Sequence, residues 1–203
     1  DTYFIIEGAR YKITEPDLVA ALKPLGPLGV VSQQYIDSFT DAGNMGRLLK
    51  SPAGNYYLAD AGKRFKFTNC SQVTVFGLDC ANAIPVTASQ ITMLGNGNAV
   101  TEYISGDDGQ TFLIENGTKR QVLDTESLIE SRIGIPAKSS LKVSALKSLP
   151  WGNPIIRRGA SFINLATKKL AVYDGTNYYD VDTATLADID LTAWFPKSTY
   201  WAN

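Results

Sequence analysis

Apolar and polar positions alternate along this chain in short runs, and four of the runs meet a glycine turn. The entry runs are "YFII", "YYLAD", "TFLIE" and "LAVYD". They lead into the turn pairs Glu7-Gly8, Ala61-Gly62, Asn116-Gly117 and Asp174-Gly175. Asn-Gly and Asp-Gly are the pairs that best tolerate the positive φ angles of a tight hairpin. The exit runs alternate strictly in three copies: Arg10-Tyr11-Lys12-Ile13, Arg64-Phe65-Lys66-Phe67 and Tyr178-Tyr179-Asp180-Val181. Period-two alternation predicts half-buried strands with Tyr11 and Ile13 on one face, Arg10 and Lys12 on the other. The third copy, Lys119-Arg120-Gln121-Val122, breaks the alternation at Arg120.

After each exit run the period changes. Thr14, Thr68-Asn69, Asp124 and Asp182 are helix-start residues, and the apolar residues Leu18, Leu128 and Leu186 recur five positions beyond the strand. In the second copy that position is Gln72, so Val73 has to serve. These segments predict helices of two or three turns, too short to stand alone. Three phrases, "VVSQQYIDSF", "VTASQITMLGNG" and "KVSALKSLPWGNP", follow as extended connectors. A further strand ("GRLLKS", "TEYIS", "SFINLAT") then leads into the next hairpin.

The hairpin glycines are spaced by 54, 55 and 58 residues, and a fixed period of this size marks a repeat architecture. The expected fold is an all-β dominated repeat protein with short helices, arranged as a four-bladed β-propeller. The competing arrangement is an open array of β-hairpin/helix repeats. Residues 1–203 read as one repeat domain with units of roughly 1–45, 46–101, 102–159 and 160–203. The first hairpin lacks a preceding strand and the chain ends on a surplus "STYWAN", so residues 198–203 are expected to complete the first unit.

Composition narrows the chemistry. The chain has 203 residues, enough to bury a core, with 44% hydrophobic and 19% charged residues. A net charge of −1 gives no general attraction to nucleic acid or anionic membrane, and no apolar run suffices to cross a bilayer. Histidine is absent, which removes Ser-His-Asp and Cys-His catalysis and histidine-containing zinc sites. No cofactor is expected. Cys70 and Cys80 are spaced for a small disulfide loop and not a metal knuckle, the alternative being two buried thiols. A disulfide implies an oxidising compartment. With Asp1 in first place, where a removed leader is the expected explanation, the combination favours a secreted, cell-surface protein.

Four groups of residues are candidates for chemistry. Arg10, Lys12, Lys63, Arg64, Lys66, Lys119 and Arg120 fall at matching places in three units. They are either a stripe for an anionic polymer or solvated strand faces that discourage edge pairing. Trp151, Trp194 and Trp201, with Tyr103 and Tyr200, are either sugar-stacking platforms or packing between units. Asp107 and Asp108 in "SGDDGQ" are calcium-capable but equally ordinary turn residues. Glu115, Asp124, Glu126 and Glu130 supply the carboxylates a glycosidase would need, yet each also suits a cap or turn. Asn69-Cys70-Ser71 and Asn116-Gly117-Thr118 match the N-glycosylation pattern.

The phrase "GRLLKSPAGNYYLADAGKRFKF" (46–67) resembles a repeat of secreted, cell-envelope-associated bacterial proteins, in which a G-x-L-x-K strand leads to Y-L-x-x-x-G-K-R. The likeness is fullest in the second unit, while the fourth keeps only its "YDG" turn. "YFIIEGARYKI" is similar to hemopexin-type blades, which form four-bladed rings. Both resemblances imply a non-catalytic attachment module. The expected function is therefore extracellular binding of a cell-wall or surface carbohydrate polymer, or of a partner protein. A carboxylate-dependent hydrolase and a structural spacer are the alternatives.

Overall fold

The computed structural model describes residues 1–164, 169–180 and 197–200. They form four separate sheets linked by short helices, a β-rich chain as the patterning predicts. The chain divides into two compact units, Asp1–Val100 with Leu141–Ser148 and Thr101–Ser140 with Leu149–Asn203.

In the first unit, β1 (Thr2–Ile6) and β2 (Ala9–Ile13) form the first hairpin. Helix α1 (Pro16–Leu22) follows, then α2 (Gln33–Asp37), then β3 (Thr40–Asn44), which lies parallel to β2. The second sheet is fuller. Its lead strand β4 (Leu48–Lys50) pairs with the hairpin β5 (Tyr56–Asp60) and β6 (Lys63–Lys66). Helix α3 (Cys70–Val75) carries the chain to β7 (Ile84–Pro85), parallel to the lead strand. Helix α4 (Ala88–Met93) then carries it to β8 (Gly95–Asn96), parallel to the exit strand.

The second unit repeats the plan. Strands β9 (Tyr103–Gly106), β10 (Thr111–Glu115) and β11 (Thr118–Val122) precede α5 (Thr125–Glu130). Next, β12 (Lys138–Leu141) lies beside the lead strand, and Trp151 and Ile155 bridge in parallel to Lys119 and Val122 of the exit strand. The last sheet is ordered β15 (Tyr178–Asp180), β14 (Leu170–Tyr173), β13 (Ser161–Asn164), β16 (Lys197–Tyr200). Among the described residues, each sheet is thus an entry and exit hairpin, preceded by a lead strand in the second, third and fourth copies, with later pieces of the same repeat paired alongside.

This plan corrects several expectations. The extended connectors of the first three repeats hold a second short helix or 3-10 turn. Ser32 caps α2 through its side chain, Thr87 and Gln90 form a full capping box on α4, and "VSAL" is a 3-10 turn (Val143–Leu146). Their sequence looked extended because these helices run six residues or fewer and leave little periodicity to detect. Residues 197–200 run parallel to β13 at the place that β7 and β12 take in earlier repeats. They therefore belong to the fourth sheet and not to the first, while 201–203 lie outside the described residues.

Other expectations are met. Glu7, Ala61 and Asn116 take positive φ of 47°, 47° and 50°, each followed by a left-handed glycine. The fourth turn differs: Asp174 accepts from the Thr176 and Asn177 amides, which moves the two-residue loop to Gly175-Thr176. Asn69 and Asp124 cap α3 and α5. In the first copy the cap is Glu15, without a side-chain bond, followed by Pro16, rather than Thr14. Leu18, Val73 and Leu128 are all buried, so Val73 does replace Gln72. Leu186 and Asp182 lie outside the described residues. Met45, Val100 and Ile155, one period apart, are likewise buried, and each donates its amide to the exit strand of its own sheet. Burying each such side chain contributes roughly 1.5–3 kcal/mol.

Candidate functional site

The basic residues predicted to form a stripe divide by role. The hairpin register aligns Arg10, Arg64 and Lys119 opposite Ile5, Ala59 and Ile114. Arg10 donates to the Ile36 carbonyl at 3.0 Å and to Asp37 at 2.6 Å, with Asp41 at 3.6 Å. That partnership holds the Arg10 guanidinium above and the Asp37 carboxyl below their ordinary pKa values, the hydrogen bond between them being the main cause. Arg64 likewise reaches the Ile91 carbonyl, one period beyond Ile36. These arginines fasten the second helix of a repeat to its own hairpin.

Lys119 is buried, with its ammonium 4.6 Å from the centroid of Trp151, and burial pulls its pKa down. Arg120 stands where Tyr11 and Phe65 stand in the other copies, which explains the broken alternation. It donates to the Asn153 carbonyl at 2.7 Å and pairs with Glu115 at 3.0 Å. Lys12 pairs with Asp1 at 3.0 Å on the surface, and Lys63 and Lys66 are exposed. The stripe is largely a set of internal fasteners.

Among the aromatic candidates, Tyr103 belongs to the core with Leu113, Val122, Leu128 and Ile155. Trp151 is half-buried against Phe112, ring centroids 5.8 Å apart. Trp194 and Trp201 lie outside the described residues, as does the side chain of Tyr200.

Three of the four candidate carboxylates are committed to structure. Glu115 holds Arg120; Asp124 accepts from Ser127 and from Arg157 at 2.8 Å; Glu130 accepts from the Arg158 amide at 2.8 Å. Burial pushes the Asp124 pKa up, but the hydrogen bonds from Ser127 and Arg157 outweigh it and leave the carboxyl below its ordinary range. It is an ionised acceptor. Asp108 closes its own turn through the Gln110 amide. Among the described residues no cluster of three or more metal-ligating side chains occurs.

The remaining surface candidate was not singled out by sequence reasoning. Tyr173 and Tyr178 face each other across the last hairpin, centroids 5.0 Å apart and tilted by 31°. The Tyr173 hydroxyl is fixed on the Gly175 carbonyl at 2.8 Å. Tyr178 remains 43% exposed and Tyr179 54%. Partial burial raises the Tyr178 pKa, Tyr173 adds to this, and the nearby Arg120 charge opposes it. The result is a pair of aromatic rings, Tyr173 and Tyr178, on one face of the hairpin, with Tyr179 on the other. Its signal in the sequence was the density of tyrosine in "YDGTNYY", which alternation alone assigns to strand.

Cys70 and Cys80 are joined in a disulfide that ties the start of α3 to the 3-10 turn Cys80–Asn82. Among the described residues no helix is long and apolar enough to cross a membrane.

No family model and no curated protein matches the chain. Similar solved structures include a chain of the periplasmic assembly from the ESX-5 inner membrane complex, 10% identical over 76% of this chain and 58% of that one, with a TM-score of 0.23. A chain of an intact ESX-5 inner membrane complex is 11% identical over 88% of this chain and 57% of its own length, also at 0.23. The chain spans less than two thirds of the length of either.

Proposed function

We propose that this chain is a non-catalytic extracellular module that binds a cell-surface or cell-wall carbohydrate polymer. The observation that carries the reading is the ring pair of Tyr173 and Tyr178 on one face of the last hairpin, with Tyr178 exposed. Flat rings held by a hairpin and by the Tyr173 hydroxyl bond offer a stacking face at little entropic cost, which suits a hydroxyl-rich sugar ring. The commitment of Glu115 to an ion pair, of Asp124 to a cap and of Glu130 to a main-chain amide favours binding over hydrolysis. The disulfide supports an oxidising, extracytoplasmic location. A four-bladed ring of the four repeats is the finer architecture that belongs to this reading, and small-angle scattering would distinguish it from an open array.

Purified cell walls and a glycan array test the function at low and raised salt. Retention that survives salt and is lost in Tyr178→Ala/Tyr179→Ala supports the tyrosine face. Equal retention by the double variant refutes it.

A further inference from the structure

Each hairpin has a cross-strand pair directly behind the pair that closes its turn. In the last hairpin Asp174 donates its amide to the Asn177 carbonyl at 3.1 Å, so Asp174 and Asn177 are the closing, hydrogen-bonded pair. Hydrogen-bonded and non-hydrogen-bonded pairs alternate along an antiparallel ladder, and side chains approach most closely across the second kind. Tyr173 and Tyr178 fall on that second kind. The Tyr173 amide accordingly turns away from β15 and donates to the Ala160 carbonyl at 3.1 Å. The earlier hairpins place Ile5 with Arg10, Ala59 with Arg64, and Ile114 with Lys119 at this position. The last hairpin places two phenols there.

The two ring centroids are 5.0 Å apart and the planes are inclined by 31°. The Tyr173 hydroxyl donates to the Gly175 carbonyl at 2.8 Å, which fixes the orientation of that ring. Tyr178 is 43% exposed, so an oxidant in solution reaches it. Tyr179, the next residue of the strand, points to the opposite face of the sheet. A tyrosyl radical carries its unpaired electron on the oxygen and on the ortho and para carbons. The para carbon already bears the side-chain stem, so two such radicals held side by side join through their ortho carbons. Holding them side by side makes the coupling unimolecular and favours it over coupling to a second molecule.

We propose that Tyr173 and Tyr178 are an oxidative cross-linking site, converted to a dityrosine by hydrogen peroxide acting through a haem peroxidase. Each phenol gives up one electron and its hydroxyl proton, and a carbon–carbon bond forms between the two ortho positions. The ortho hydrogens then move to the phenolic oxygens, which restores both aromatic rings. The peroxide O–O bond breaks as it takes up the two electrons and two protons, leaving two waters. The product staples β14 to β15 beside the turn. It needs no sugar ligand, so its test does not depend on the binding reading.

The test exposes the dilute full chain to a haem peroxidase with limiting hydrogen peroxide. The expected product is a monomer lighter by two hydrogen atoms, with dityrosine fluorescence. Cleavage on the amino side of aspartate separates a fragment ending at Tyr173 from the fragment 174–179, and the cross-link is expected to keep these two joined. Tyr178→Phe is expected to abolish the joined product, and Tyr179→Phe to leave its yield unchanged. Coupling chiefly as covalent dimers, joined fragments that persist in Tyr178→Phe or vanish in Tyr179→Phe, or no coupling under conditions that convert free tyrosine overturns the proposal.

Discussion

Asp60 binds two partners at once: its Oδ1 lies 3.5 Å from Arg47 Nη1, and its Oδ2 accepts the Lys142 amide at 2.8 Å. Both charged side chains are nearly sealed, at 3% and 10% exposure. The pair thereby holds the 141–148 segment to the first compact unit. Breaking a buried pair from one side leaves a charge without compensation, so Asp60→Ala is expected to cost about 3–5 kcal/mol in denaturant unfolding. Arg47→Met/Asp60→Leu is expected to recover much of that loss, since one Arg47 nitrogen is already buried without a partner.

Gly97 and Gly152 sit at matching places beside exit strands. A Cβ at Gly97 would come within 2.5 Å of the Phe65 ring, and one at Gly152 within 2.9 Å of Arg120 Cγ. The ring is packed and the arginine stem can swing. Gly97→Ala is therefore expected to lose about 1–3 kcal/mol and Gly152→Ala clearly less, compared by thermal unfolding.

How far the sequence revealed this molecule depends on the kind of signal. Hairpins, caps at Asn69 and Asp124, and the buried Leu18 and Leu128 were legible, because turn chemistry and periodicity act over a few neighbours. The roles of Arg10 and Arg64 were not, because their acceptors, the carbonyls of Ile36 and Ile91, are main-chain groups a helix away. Asp60 escaped notice for the same reason: its partners lie at positions 47 and 142. The terminal strand was misassigned because its alternation fits either side of a lead strand.

Acid sensitivity should report on Asp124. Its folded pKa is depressed, so its contribution to stability is complete above the unfolded value of about 4 and is lost as pH falls through the lower folded value. Asp124→Asn keeps a cap-competent side chain and removes the charge. Its stability is expected to change less steeply with pH below about pH 4 than that of the parent, measured by denaturant titration at several pH values.

The Cys70–Cys80 bond closes a short loop that contains α3. Constraining a loop of that length in the unfolded chain is worth about 2–3 kcal/mol. Cys70→Ser/Cys80→Ser should lower the melting temperature, and a reductant should lower the parent to the same level while leaving the variant unchanged.

Every ladder partner in these sheets is drawn from the same stretch of chain, from β2 with β3 to β13 with β16. Such short-range wiring lets a ribosome release one finished sheet before the next is made, and it keeps the search for correct pairing brief. Lineages that shuffle or duplicate this gene would find natural cut points between sheets, where no ladder has to be rethreaded.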